Sequence, residues 1–207
     1  MKIVPNPNLP DATAQVVALV ADALAAAVAP PGLQGVSAEQ IGIETPHAIL
    51  ELALQDLADG RGLDSATRTG LRYLLRNPKA ADAIAAVADV GIGRSNPAAL
   101  WVKSLSHGAW SSRLASALAR MAAYPAPETA GSVELALLRC RGVNVEALVA
   151  LPTAGGHAMV FPFISAVPAV QGGAYRESAF FDALWPEARR AQRVFARSRP
   201  DEESFVG

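Results

Sequence analysis

Residues 65–93 read SATRTGLRYLLRNPKAADAIAAVADVGIG, and what this stretch becomes decides the class of the whole chain. Asp64 stands ahead of it as a cap, Asn77-Pro78 divides it, and Gly91 closes it. A capping oxygen satisfies free amide donors at a helix start, and proline at the first helical position gives up a donor that had no partner. Glycine past the last turn ends a helix. The stretch therefore reads as two helices, one over about 65–76 and one from Pro78 to just before Gly91.

The same grammar extends outward. Thr45-Pro46 and Asn96-Pro97 repeat the cap-proline signal. From Pro46 to just before Gly60, Ile49, Leu50, Ala53, Leu54 and Leu57 fall on one helical stripe. An earlier helix is expected over 11–29, with Val16, Val20 and Leu24 facing a core. Residues 95–124 are expected to hold two helices joined near His107-Gly108. The cap-proline pairs are unequally spaced, which argues against a solenoid repeat.

Beyond YPAPETAG (124–131), a turn-rich linker, the pattern changes. Runs at 133–141, 143–151 and 157–164 are short and apolar, separated by Arg141-Gly142 and by Thr153-Ala-Gly-Gly156. Connections this short permit only antiparallel pairing. A last helical region carries Pro186, which predicts a kink or two short helices, and the end, PDEESFVG, is acidic. The expected fold class is α+β: a mainly helical region over 1–125, then over 132–199 a three-stranded antiparallel meander with C-terminal helices. A sheet that small must be covered on its apolar face, so the two regions are expected to form one cooperative unit.

Composition bounds the function. With 51% hydrophobic and 18% charged residues, the 207-residue chain is a folded protein. A formal net charge of -1 does not suit a surface built for nucleic acid or anionic lipid. One cysteine cannot form an internal disulfide, the opening residues lack the apolar core of a signal peptide, and the apolar stretch 16–28 is interrupted by Asp22 and too short for a bilayer. A cytoplasmic location is expected.

Candidate chemistry is sparse. Cys140 with His157 or His107 is the only nucleophile-and-base combination on offer, but Cys140 lies late in an expected strand with no helix start to lower its pKa. The ordinary reading is a small buried side chain and a turn. His47, His107 and His157 show no ligand spacing, so no metal is expected, and no motif calls for a cofactor. Thr153–Gly156 lacks the lysine and following helix of a phosphate cradle. Arg94, in GIGRSNP, could meet an anion at a helix start.

Two arginine series stand out as candidate binding residues: Arg68, Arg72 and Arg76, and Arg189, Arg193 and Arg197. Spacing of four places each series on one helical face, where like charges need an acidic partner or solvent. The leading expectation is a non-catalytic interaction or accessory protein that binds another protein or itself, through such a stripe or an open sheet edge. The alternative is an enzyme or small-molecule binder with a site between helices and sheet, drawing on His107, Trp101, Trp110, Arg94, Cys140 and His157.

Overall fold

The computed structural model describes residues 2–4, 10–44, 46–80, 84–93, 100–124 and 132–197. Strands, not helices, dominate the first half. In chain order the elements are β1 (Lys2–Val4), α1 (Pro10–Ala25), β2 (Gly42–Ile43), β3 (His47–Glu51), α2 (Leu54–Ala58), β4 (Thr67–Arg76), β5 (Ile84–Ile92), β6 (Leu100–Ser106) and α3 (Ala109–Ala123). Then come β7 (Ser132–Cys140), β8 (Val145–Pro152), β9 (Met159–Ser165), β10 (Tyr175–Arg176) and α4 (Glu177–Arg197).

All the strands join one mixed sheet in the order β10-β9-β8-β7-β3-β4-β5-β6. β2 adds to β4 in line with β3, and β1 adds to β7 in line with β3. Neighbours are antiparallel except where β7 meets β3 and β1. The expected α+β architecture of a helical region followed by a separate three-stranded meander is therefore corrected. The three C-terminal runs are strands at the expected places, but they are three of the ten described strands of one continuous sheet.

The correction has a physical cause. The helices expected over 46–59, 65–76 and 78–90 are replaced by β3 with the single-turn α2, by β4 and by β5. From Gly70 to Leu75 every residue of β4 is buried, because helices cover the sheet on both sides there. A strand buried on both faces loses its alternation and reads as a continuous apolar run, so the period that separates strand from helix disappears. β5 is alanine-rich because Ala86 and Ala88 lie under α1, packed with Ala12, Val16 and Val20. Tertiary context here overrides the helix propensity of alanine.

The cap signals find other uses. Asn77 Oδ1 accepts from the Lys79 amide at 2.8 Å, and Asn77 Nδ2 donates to the Gly32 carbonyl at 2.9 Å, so Asn77-Pro78 is the turn between β4 and β5. Thr45 and Asn96-Pro97 lie outside the described residues. Of the two helices expected at 95–124, the second is α3, while the first position is taken by β6. α4 runs through Pro186 as one helix.

The helices divide the sheet. Ala48 pairs with both Leu71 and Ala136, which sets the parity of β3, β4 and β7. On the face that holds Leu71, Tyr73 and Leu75, α1 covers β4 and β5. On the same face α4 covers the other half, setting Phe180, Phe181 and Leu184 on Leu138, Val145, Ala147 and Val149. α3 has the opposite face, with Leu114, Ala117 and Met121 against Leu74, Val87, Leu135, Leu148 and Phe161. No helix among the described residues is long and apolar enough to cross a membrane.

Candidate functional site

The polar centre of the molecule lies on the α3 face, where the sheet runs past the start of α3. Asp89, within AIAAVADVGIG, is the one charged residue of an apolar strand and is 4% exposed. Its cross-strand neighbour is Arg72, which donates from Nε to Oδ1 at 2.5 Å and from Nη2 to Oδ2 at 2.6 Å. Arg139, from β7, donates Nη2 to the same Oδ2 at 2.8 Å. Glu146 on β8 faces Arg139 across the register, with its carboxylate 3.5 Å from Arg139 Nε and 3.9 Å from Arg72 Nη1.

Trp110, at the start of α3, closes the cluster from above. Its indole Nε1 donates to Glu146 Oε2 at 3.0 Å, and the Arg72 guanidinium lies 3.9 Å from the centre of its ring. Phe163 meets the same indole edge to face at 5.1 Å. Two arginines and two carboxylates thus neutralise one another under an aromatic lid, a geometry in which bidentate and charge-assisted bonds offset desolvation. Burial alone pushes the Asp89 carboxyl up, but the two guanidiniums outweigh it and hold the group below its ordinary range. Burial lowers the Arg72 pKa, against which Asp89 holds the proton in place.

A polar cleft of about 210 Å³ opens beside this cluster, with Arg139 on its floor. A β-bulge shapes it. The register of β3 against β4 skips Thr69, since Ile49 pairs with Gly70 and Leu50 with Arg68. The skip restores Thr67 to the side of Glu51 and leaves Thr69 Oγ1 buried with no hydrogen-bond partner among the described residues. Bulges of this kind commonly re-aim side chains at sites. Arg141 closes the rim, donating Nη2 to Glu51 Oε1 at 2.9 Å. Gly142 is required there, because a Cβ would sit 2.6 Å from Leu54 Cβ.

The candidate nucleophile and bases do not assemble. Cys140 is 1% exposed and burial pushes its thiol up to about 12, so no thiolate is available near neutrality. His157 lies exposed in the turn before β9 and His107 in the turn before α3. His47 is on β3 opposite Arg72, where burial first and then the Arg72 charge lower its pKa to about 4, with Glu44 opposing. No group of His, Cys, Asp and Glu among the described residues has the makings of a metal site. Thr153–Gly156 is a turn between antiparallel strands.

The arginine series separate. Arg68, Arg72 and Arg76 lie on strand β4 rather than on a helix: Arg68 is exposed, Arg72 is in the buried cluster, and Arg76 pairs with Glu44. On α4, Arg189 donates Nε to the Ala58 carbonyl at 3.1 Å and so ties α4 to α2, while Arg193 and Arg197 are exposed. Arg94 and the acidic residues 201–203 lie outside the described residues. Trp101 crosses Gly91, where an added Cβ would meet its ring at 2.5 Å.

Asp89 and Glu146 were missed in the sequence. The available signal was a charge set inside an apolar run, Asp89 and Glu146 as the single charges of β5 and β8 and Arg72 and Arg139 between apolar neighbours in β4 and β7, since a buried charge demands an opposite one. Comparison with protein-family models, with curated proteins and with solved structures finds no match, so the charge cluster and its cleft rest on their own geometry.

Proposed function

We propose that the chain is a non-catalytic interaction domain that takes up an extended segment of a partner, another protein or a second copy of itself, along the outer edge of β6. The observation that carries this reading is the place of β6. It ends the sheet, pairs only with β5 among the described residues, and presents Trp101 with 45% of its surface exposed. An open edge offers main-chain donors and acceptors at strand spacing, and an exposed tryptophan supplies an anchor. Lys103 beside Trp101, and the register shift opposite Asp89/Val90, guard such an edge against indiscriminate pairing.

A photo-crosslinking residue at Ser104, in the native cell, tests this against the same residue at Ser116 on α3. A discrete crosslinked polypeptide at Ser104 and none at Ser116 supports edge binding. Equal labelling at the two positions refutes it.

A second reading, a small-molecule-binding protein, is favoured by one observation: the cleft over Arg139 contains a buried hydroxyl, Thr69 Oγ1, without a partner.

A further inference from the structure

Charge balance around the cleft restricts what it accommodates. Each guanidinium there is matched by a carboxylate: Arg72 and Arg139 by Asp89 and Glu146, Arg141 by Glu51, and Arg61 by Asp56. A simple anion or cation would add an unmatched charge beside Arg139, which is 8% exposed, and carry a desolvation cost. A molecule neutral overall but bearing both signs would add no net charge, and each of its charged groups would meet an opposite one.

The unsatisfied groups fit that description. Among the described residues, Arg139 Nε, 3.5 Å from Glu146, has no hydrogen-bond partner and Thr69 Oγ1 has none either, so a carboxylate would find two unsatisfied donors on the floor. Glu51, on the rim, has one carboxylate oxygen on Arg141 and a second able to accept from an ammonium group. Leu52, Ala53 and Leu54 give the wall an apolar strip.

We propose, on the basis of the small-molecule reading above, that this cleft binds a small zwitterion of the α-amino-acid class. The carboxylate lies on Arg139 and Thr69, the ammonium on Glu51, and the side chain along Leu52–Leu54. The volume of about 210 Å³ suits a compact molecule of this kind rather than a nucleotide or an extended peptide.

The test is calorimetric titration of the full chain with glycine, L-alanine and L-valine, and with the two halves of alanine, propionate and ethylamine. At least one amino acid should bind, with each half at least about tenfold weaker, because each forfeits a charge-assisted contact. Thr69→Val, nearly isosteric, should weaken binding about tenfold for loss of a hydrogen bond to a charged group, with an unchanged circular dichroism spectrum. Arg113→Gln, in a separate cleft lined by Arg113, Ser116 and Arg120 of α3 and by Phe163, should change nothing. Propionate binding as tightly as L-alanine would leave a small-molecule site but overturn the zwitterion. No binding by any of the three amino acids, or binding indifferent to Thr69→Val, would overturn both this assignment and the small-molecule reading of the cleft.

Discussion

Replacing Asp89 with asparagine preserves volume and removes the charge on which two buried arginines depend. Asp89 accepts three bonds, at 2.5, 2.6 and 2.8 Å, and its side chain is 5% exposed. Asparagine turns one acceptor oxygen into a donor facing a guanidinium, and it leaves Arg72 and Arg139 sharing the half-buried Glu146 alone. Breaking a buried pair from one side costs about 3–5 kcal/mol, a large share of the roughly 5–15 kcal/mol that holds a domain together. With a urea slope of about 2 kcal/mol/M, the unfolding midpoint should fall by about 2 M. The quadruple change Arg72→Met, Asp89→Leu, Arg139→Met, Glu146→Gln should cost less than Asp89→Asn alone, because it removes every charge of the cluster while keeping an acceptor for Trp110. Because the folded-state pKa of Asp89 is depressed, its contribution is present above the unfolded value of about 3.9 and is lost as pH falls through the folded one. The gap between wild type and Asp89→Asn should therefore narrow in acid. A loss under about 1 kcal/mol for Asp89→Asn at pH 7 would refute the claim that the cluster is an interdependent unit.

Other outcomes follow from the same geometry. His47, held neutral with a pKa near 4, should draw stability down as pH falls from about 6.5 toward 4, by up to about 3 kcal/mol, and His47→Gln should flatten that part of the urea-stability profile. Cys140 should resist a thiol reagent at pH 8 in the folded protein and react once it is denatured, as followed by absorbance. Gly142→Ala should destabilise by about 1–3 kcal/mol by overpacking against Leu54, and Leu54→Ala in the same chain should restore part of it. Trp110→Leu should cost about 2 kcal/mol for the lost indole bond and ring-guanidinium contact, measured by thermal unfolding.

The second half was legible because β8 and β9 are joined to their neighbours by tight turns, and a turn of a few residues permits one pairing. In the first half the signals were ambiguous for definite reasons. Spacing of four, as in Arg68, Arg72 and Arg76, repeats on one face of a helix and, without a bulge, also on one face of a strand. The Asn-Pro pair caps helices and also builds turns. β4 carries no alternation because it is covered on both faces, and the alanines of β5 serve the close approach of α1. As for the site, Cys140 and the histidines attracted attention by residue type, while the assembled cluster joins β4, β5, β7 and β8 with α3, and no spacing along the chain encodes that convergence.

The position of β7 has a consequence for how the chain reaches this state. One edge of β7 is completed by Lys2–Val4 and His47–Glu51, its register partners from the far end of the sequence. During synthesis the N-terminal strands must wait until residues 132–140 have left the ribosome, with the edge of β3 uncovered throughout. Parallel pairings across such separations carry a large loop-closure penalty and form late. The nascent chain therefore passes through a long interval in which an apolar strand edge is open to other chains, so its yield should depend on elongation rate and on chaperones that shield that edge.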